Sequence, residues 1–134
     1  MIRKMLRYTI DIVCGAVLAV VIAVLVLYAL GIRPYVVMSG SMEPSIHTGS
    51  VCFVNTRADY DKVEPGDVIA FQTAIGTMVT HRVVAVTGEG METKGDANDV
   101  SDGVSTTPVN FSGKTLFSIP YLGQVIIFFR KLIR

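Results

Sequence analysis

Residues 77–86 read Thr77-Met78-Val79-Thr80-His81-Arg82-Val83-Val84-Ala85-Val86, the most β-prone run in the chain. Branched side chains dominate it, and these sit well on an extended, pleated surface. Similar runs lie on both sides. Upstream, Gly49 turns into a short strand through Val51-Cys52-Phe53-Val54-Asn55, and Gly66-Asp67 opens another, Val68-Ile69-Ala70-Phe71-Gln72. Downstream, Gly88-Glu89-Gly90 turns into Met91-Glu92-Thr93-Lys94, and a further strand is expected through residues 110–116. Polar, proline-terminated residues 56–65 and carboxylate-rich residues 95–103 read as loops. The expectation is a mainly β fold: a small curled antiparallel sheet or partial barrel.

The N-terminal side is of another kind. Hydrophobic residues make up 51% of the 134-residue chain and charged ones 17%, more apolar than an ordinary soluble domain. The excess sits in residues 12–32, which carry no charge and suffice for a helix crossing a bilayer, about 20 residues. Arg3, Lys4 and Arg7 precede the run, offset only by Asp11. The positive-inside rule then predicts a cytoplasmic N-terminus (1–11), a transmembrane anchor (12–32) and an extracytoplasmic β-rich domain (33–134). The run exceeds the h-region of a cleaved signal peptide, and no small-x-small site is followed by a polar start. An uncleaved, single-pass anchor in the cell membrane is expected. The closing segment, Ile119 onward, is apolar and then basic. It is too short to span as a helix, and it reads either as a membrane-surface segment meeting anionic lipid or as a core strand with a charged end.

Between anchor and sheet lies Val36-Val37-Met38-Ser39-Gly40-Ser41-Met42-Glu43-Pro44-Ser45. Gly40 is expected to admit a backbone conformation closed to side chains, and Pro44 fixes the exit. A serine in so stiff a turn can offer an attacking Oγ and a backbone N–H to one point, as acyl transfer requires. Taken alone, Ser-Gly-Ser is an ordinary turn. The stretch from Ile32 to Ser41 spans at most roughly 30 Å fully extended, so Ser41 is expected near the membrane surface.

Two histidines are present. His47 lies in a polar turn and reads as solvated. His81 shares a strand face with Val79, Val83 and Ala85. A lone histidine there is commonly a packed core residue, but a neutral imidazole is also what a serine needs as general base. Asp96, Asp99 or Asp102 in the acidic loop could orient it. The loop lacks the glycine and terminal glutamate of an EF-hand, so no metal is assigned. Cys14 falls in the apolar span and Cys52 in a strand outside it, so both read as unpaired packing residues.

Ser39-Gly40-Ser41-Met42-Glu43-Pro44, Gly66-Asp67-Val68-Ile69-Ala70-Phe71, Thr80-His81-Arg82-Val83-Val84 and Lys94-Gly95-Asp96-Ala97-Asn98-Asp99-Val100-Ser101-Asp102 occur in the order of the type I signal peptidase boxes. The chain resembles the ER/archaeal-type branch, also found in some Gram-positive bacteria, because His81 stands where most bacterial enzymes carry lysine. Ala97 departs from the usual Gly-Asp-Asn-Asn. The resemblance implies a membrane-bound serine endopeptidase that removes signal peptides from exported preproteins. It makes Ser41 the nucleophile, His81 the general base, Asp102 the third catalytic residue, Ser39 an oxyanion-hole hydroxyl and Asp96 a supporting residue, expected to brace its loop through backbone N–H groups. It implies no cofactor and no nucleic acid. The implied partners are signal peptides, the lipid bilayer and the secretion translocon. Shallow apolar pockets for small residues before the cleaved bond are expected around Val37, Met38 and Val79. The competing reading is a catalytically inactive, membrane-anchored β module that binds a partner, which leaves Ser41, His81 and Asp102 together without a purpose. A self-cleaving repressor-type peptidase is disfavoured, since those use lysine as base and carry a DNA-binding domain.

Overall fold

The computed structural model describes residues 2–125 and 128, and divides into two units, Met1–Gly31 and Ile32–Arg134. The first is one α-helix, α1 (Ile2–Ala29). Its many Val and Ile residues are indifferent helix formers in water, but inside a bilayer a lone segment must satisfy its backbone internally, and only a helix does so. None of its residues is buried, so it is no core helix. Among the described residues it is the one helix long and apolar enough to cross a membrane. It starts well before the apolar run. It ends where Gly31 takes φ 79° and donates its N–H to the Tyr28 carbonyl at 3.1 Å, a left-handed stop that glycine adopts most readily.

The second unit is a sheet. Residues 32–36, Ile32-Arg33-Pro34-Tyr35-Val36, directly follow the apolar run and form a strand, β1 (Ile32–Val36). The others are β2 (Val51–Asn55), β3 (Val68–Gln72), β4 (Met78–Val86), β5 (Met91–Lys94), β6 (Val104–Thr106) and β7 (Phe111–Ile119). Their order across the sheet is β1-β2-β7-β3-β4-β5-β6, and every pairing is antiparallel. β1 and β6 are the free margins, so the sheet stays open. Pro34 is tolerated because β1 is an edge strand. Bulges at Phe53/Val54, Ala70/Phe71, Val83/Ala85 and Met91/Glu92 bend the strands and increase their twist. The mainly β, curled antiparallel expectation agrees with this architecture.

β3 is central, and its alternation serves both faces. Val68 and Ala70 face a cluster with Met42, Ile46, Cys52 and Val54, while Ile69 and Phe71 face Val63, Val83 and Met91. The serine turn is thus nailed to one face by Met42 and Ile46, 1% and 6% exposed. Burying two such side chains is worth roughly 3–6 kcal/mol. Cys14 and Cys52 are both free, and burial pushes the Cys52 thiol up to about 11, which makes it an inert packing residue. Residues 122–125 are helical rather than a strand, and the basic end expected at the membrane lies outside the described residues.

Candidate active site

The serine turn owes its shape to its neighbours more than to Gly40. Gly40 has no positive φ, and a Cβ on it would meet Glu43 no closer than 3.5 Å, so the expected special backbone is absent. Instead, Glu43 N–H donates to the Gly40 carbonyl at 3.1 Å and Ile46 N–H to the Met42 carbonyl at 2.8 Å. The Glu43–Pro44 peptide is cis. The close approach lies opposite, at Gly95. A Cβ there would fall 2.5 Å from the Ser41 carbonyl oxygen, and Ala97 N–H donates to that same oxygen at 2.9 Å. The acidic loop and the serine turn are therefore locked backbone to backbone.

β4 presents His81 on the Val79/Val83 side, with its side chain 9% exposed. His81 Nε2 is 3.0 Å from Ser41 Oγ, and His81 Nδ1 is 2.5 Å from Asp102 Oδ2. A carboxylate can only accept, so Nδ1 carries the ring proton. Nε2 is then left as an acceptor for the Ser41 hydroxyl. Ser39 Oγ lies 3.2 Å from Ser41 Oγ. Ser41 gives its one proton to the imidazole, so Ser39 is the donor between them. The Asp102 side chain remains 26% exposed. Three residues distant in sequence thus form one directed chain of hydrogen bonds. That arrangement can deprotonate a hydroxyl as it attacks, and stabilise the imidazolium that results.

Asp96 does not join this chain, and it does not brace its loop through backbone N–H groups as expected. Its carboxylate accepts twice from Arg82, from Nε at 2.8 Å and Nη2 at 2.6 Å. Arg82 also donates to the Gly66 carbonyl at 2.9 Å and reaches Ser45 Oγ at 3.5 Å. One guanidinium therefore ties the β4 residue next to His81 to the acidic loop, the turn before β3 and the serine turn. The bidentate hydrogen bond from Arg82 holds the Asp96 carboxyl below its ordinary range, against the opposing effect of burial. The same bond raises Arg82. Asp67 behaves alike: burial pushes its carboxyl up, but the Glu64 N–H and Lys114, 2.7 Å away, outweigh it. Asp99 is exposed. His47 is exposed and stacks on Tyr121, ring centres 6.5 Å apart.

Arg82, Thr93 and Ser105 are the site residues that sequence alone leaves unmarked. Arg82 carried a usable signal, a charge inside an apolar strand run, which demands a partner. Thr93 and Ser105 carried none, since both are common strand residues. Two hollows flank His81. One, about 430 Å³, is lined by Tyr35, Val37, Met38, Met78 and Val79 and opens on Ser39 and Ser41. The other, about 650 Å³, lies beside Asp102 and Ser105.

Comparison with known proteins returns a consistent picture. Residues 9–115 match the family model described as "Signal peptidase, peptidase S26". The chain is similar to "Signal peptidase I W" of Bacillus subtilis (strain 168), 39% identical over 89 residues, which cover 63% of this chain and 47% of that protein. It is similar to "Signal peptidase complex catalytic subunit SEC11" of Colletotrichum graminicola, 38% identical over 72 residues, 50% of this chain and 42% of the other. It is also similar to "Signal peptidase complex catalytic subunit SEC11C" of Homo sapiens, 32% identical over 105 residues, 69% of this chain and 54% of the other. The chain spans about half the length of the curated relatives it matches.

Proposed function

The chain belongs to the signal peptidase family, peptidase S26, and on that premise we propose that it is a membrane-bound serine endopeptidase that cuts signal peptides from exported preproteins. The observation that carries this is the chain Ser41 Oγ, His81 Nε2, His81 Nδ1, Asp102 Oδ2, with links of 3.0 and 2.5 Å. His81 accepts the Ser41 proton as Oγ attacks the scissile carbonyl, and Asp102 steadies the imidazolium. The Ser41 N–H and the Ser39 hydroxyl receive the developing oxyanion. His81 then passes its proton to the leaving amine, and a water, deprotonated in turn by His81, releases the acyl group from Ser41.

The substrate reading rests on the groove over Ser41. β5 covers only Arg82–Val86 of β4, so residues 78–80 keep an open backbone edge facing that groove. An extended peptide can pair there, as linear segments commonly do at sheet edges. Val37, Met38 and Val79 leave shallow apolar room for small side chains before the cleaved bond. α1 is the anchor in this account, with Arg3, Lys4 and Arg7 keeping the N-terminus cytoplasmic and the domain from Ile32 onward outside. Signal peptides and the bilayer are its partners, with the translocon as the site of encounter. The test is a cleavage assay on a model preprotein with the purified chain in detergent. Cleavage after the small-x-small motif, abolished in Ser41→Ala without change of fold, is expected. Full activity in Ser41→Ala contradicts the proposal.

A further inference from the structure

The Asp102 carboxylate is held by a chain of hydroxyls that the mechanism above does not use. Thr93, on β5, is 0% exposed. Its Oγ1 lies 2.8 Å from Asp102 Oδ2 and 2.6 Å from Ser105 Oγ. A hydroxyl has one proton to give, and a carboxylate only accepts. The Thr93 proton therefore goes to Asp102, and Ser105 must donate to Thr93. The direction is set: Ser105 to Thr93 to Asp102.

Oδ2 thus receives two donors, Thr93 Oγ1 from one side and His81 Nδ1 from the other. Backbone contacts bring the two residues into register, with Asp102 N–H donating to the Thr93 carbonyl at 2.8 Å and Thr93 N–H to the Gly103 carbonyl at 3.3 Å. The terminal torsion of an aspartate is soft, so backbone placement alone does not aim its oxygens. The Thr93 hydroxyl does. A buried strand site of this size would take valine at no packing cost, whereas a buried hydroxyl is costly unless fully partnered. Its presence calls for a role.

We infer that Thr93 is a positioning residue that aims Asp102 at His81, with Ser105 as its own donor. This rests on the reading of Ser41, His81 and Asp102 as the peptidase residues. The test uses the full chain in detergent with a model preprotein and the variants Thr93→Val, Thr93→Ser and Ser105→Ala. Thr93→Val keeps the shape and loses the donor, so kcat should fall about tenfold to a hundredfold with KM changed less than about twofold, the range for one hydrogen bond to a charged group. Thr93→Ser should restore most of the rate. Ser105→Ala should give a smaller fall in the same direction. In the proton spectrum, the downfield His81 Nδ1–H signal, assigned by its loss in Asp102→Asn, should move in Thr93→Val and hold in Thr93→Ser. Parental kcat in Thr93→Val overturns the inference, as does equal impairment of the serine and valine variants. Ser41→Ala in the same assay separates the two levels. If it cleaves, the proposed function fails; if it is dead while Thr93→Val is fully active, only the role of Thr93 fails.

Discussion

Asp96→Asn is the change whose consequence the structure constrains most tightly. It keeps the shape of the side chain but removes the charge that Arg82 grips with two bonds of 2.8 and 2.6 Å. The aspartate side chain is 15% exposed and the arginine 34%, so the pair is partly screened by water. Loss of a partner in a fully buried pair costs 3–5 kcal/mol, and exposed pairs are worth under about 1 kcal/mol. Arg82 keeps the Gly66 carbonyl, and about 1–2 kcal/mol is the expected loss here. For a domain of about 100 residues that lowers the melting temperature by roughly 4–12 °C. The chain has no tryptophan and five tyrosines, so near-ultraviolet tyrosine dichroism is the suitable readout. The pH dependence carries a sign. The folded carboxyl titrates below its ordinary range, so its contribution is fully present above about pH 4 and is lost as pH falls through the lowered folded value. The gap between parent and variant should hold from neutral pH down to about 4 and close below it. Cleavage should fall only in part, because Asp96 is outside the Ser41–His81–Asp102 chain. Melting within about 1 °C of the parent at neutral pH, or a gap that widens in acid, would mean that the Asp96 charge does not hold Arg82.

Ser39→Ala removes one hydroxyl beside Ser41 and should cost about two orders of magnitude in kcat, the usual loss for one oxyanion donor, read by preprotein cleavage. His81→Lys should cleave poorly, since an ordinary lysine is neutral in roughly four molecules per ten thousand at pH 7; robust cleavage would mean the pocket already desolvates an amine and needs no imidazole.

The sheet was largely legible because period-two patterning is local. Val68 and Ala70 against Ile69 and Phe71 announce a strand buried on both faces, and β3 runs from Val68 to Gln72. β1 was hidden because Arg33 and Pro34 interrupt any strand pattern right after the apolar run, and β6 because three residues carry no pattern. The motifs marked Ser41 and His81, and the fold sets them 3.0 Å apart. Gly40 misled. The feature that locks the turn is Gly95, far along the chain, where only the folded backbone reveals the approach. The Arg82–Asp96 pair was equally hidden, because it exists through the antiparallel register that sets Arg82 opposite Lys94. Thr93 is the extreme case: an unremarkable strand residue whose hydroxyl matters only through Asp102 and Ser105.

Whether Asp102 completes a chain running through His81 to Ser41 is decided by the cleavage rate of Asp102→Asn measured beside its melting temperature. The amide keeps the shape but stabilises the wrong imidazole tautomer, so kcat should fall by about 10⁴ with melting nearly unchanged. Asp102→Asn cleaving at the parental rate, with Asp96→Asn folded but inactive, would mean that Asp96 and not Asp102 serves His81.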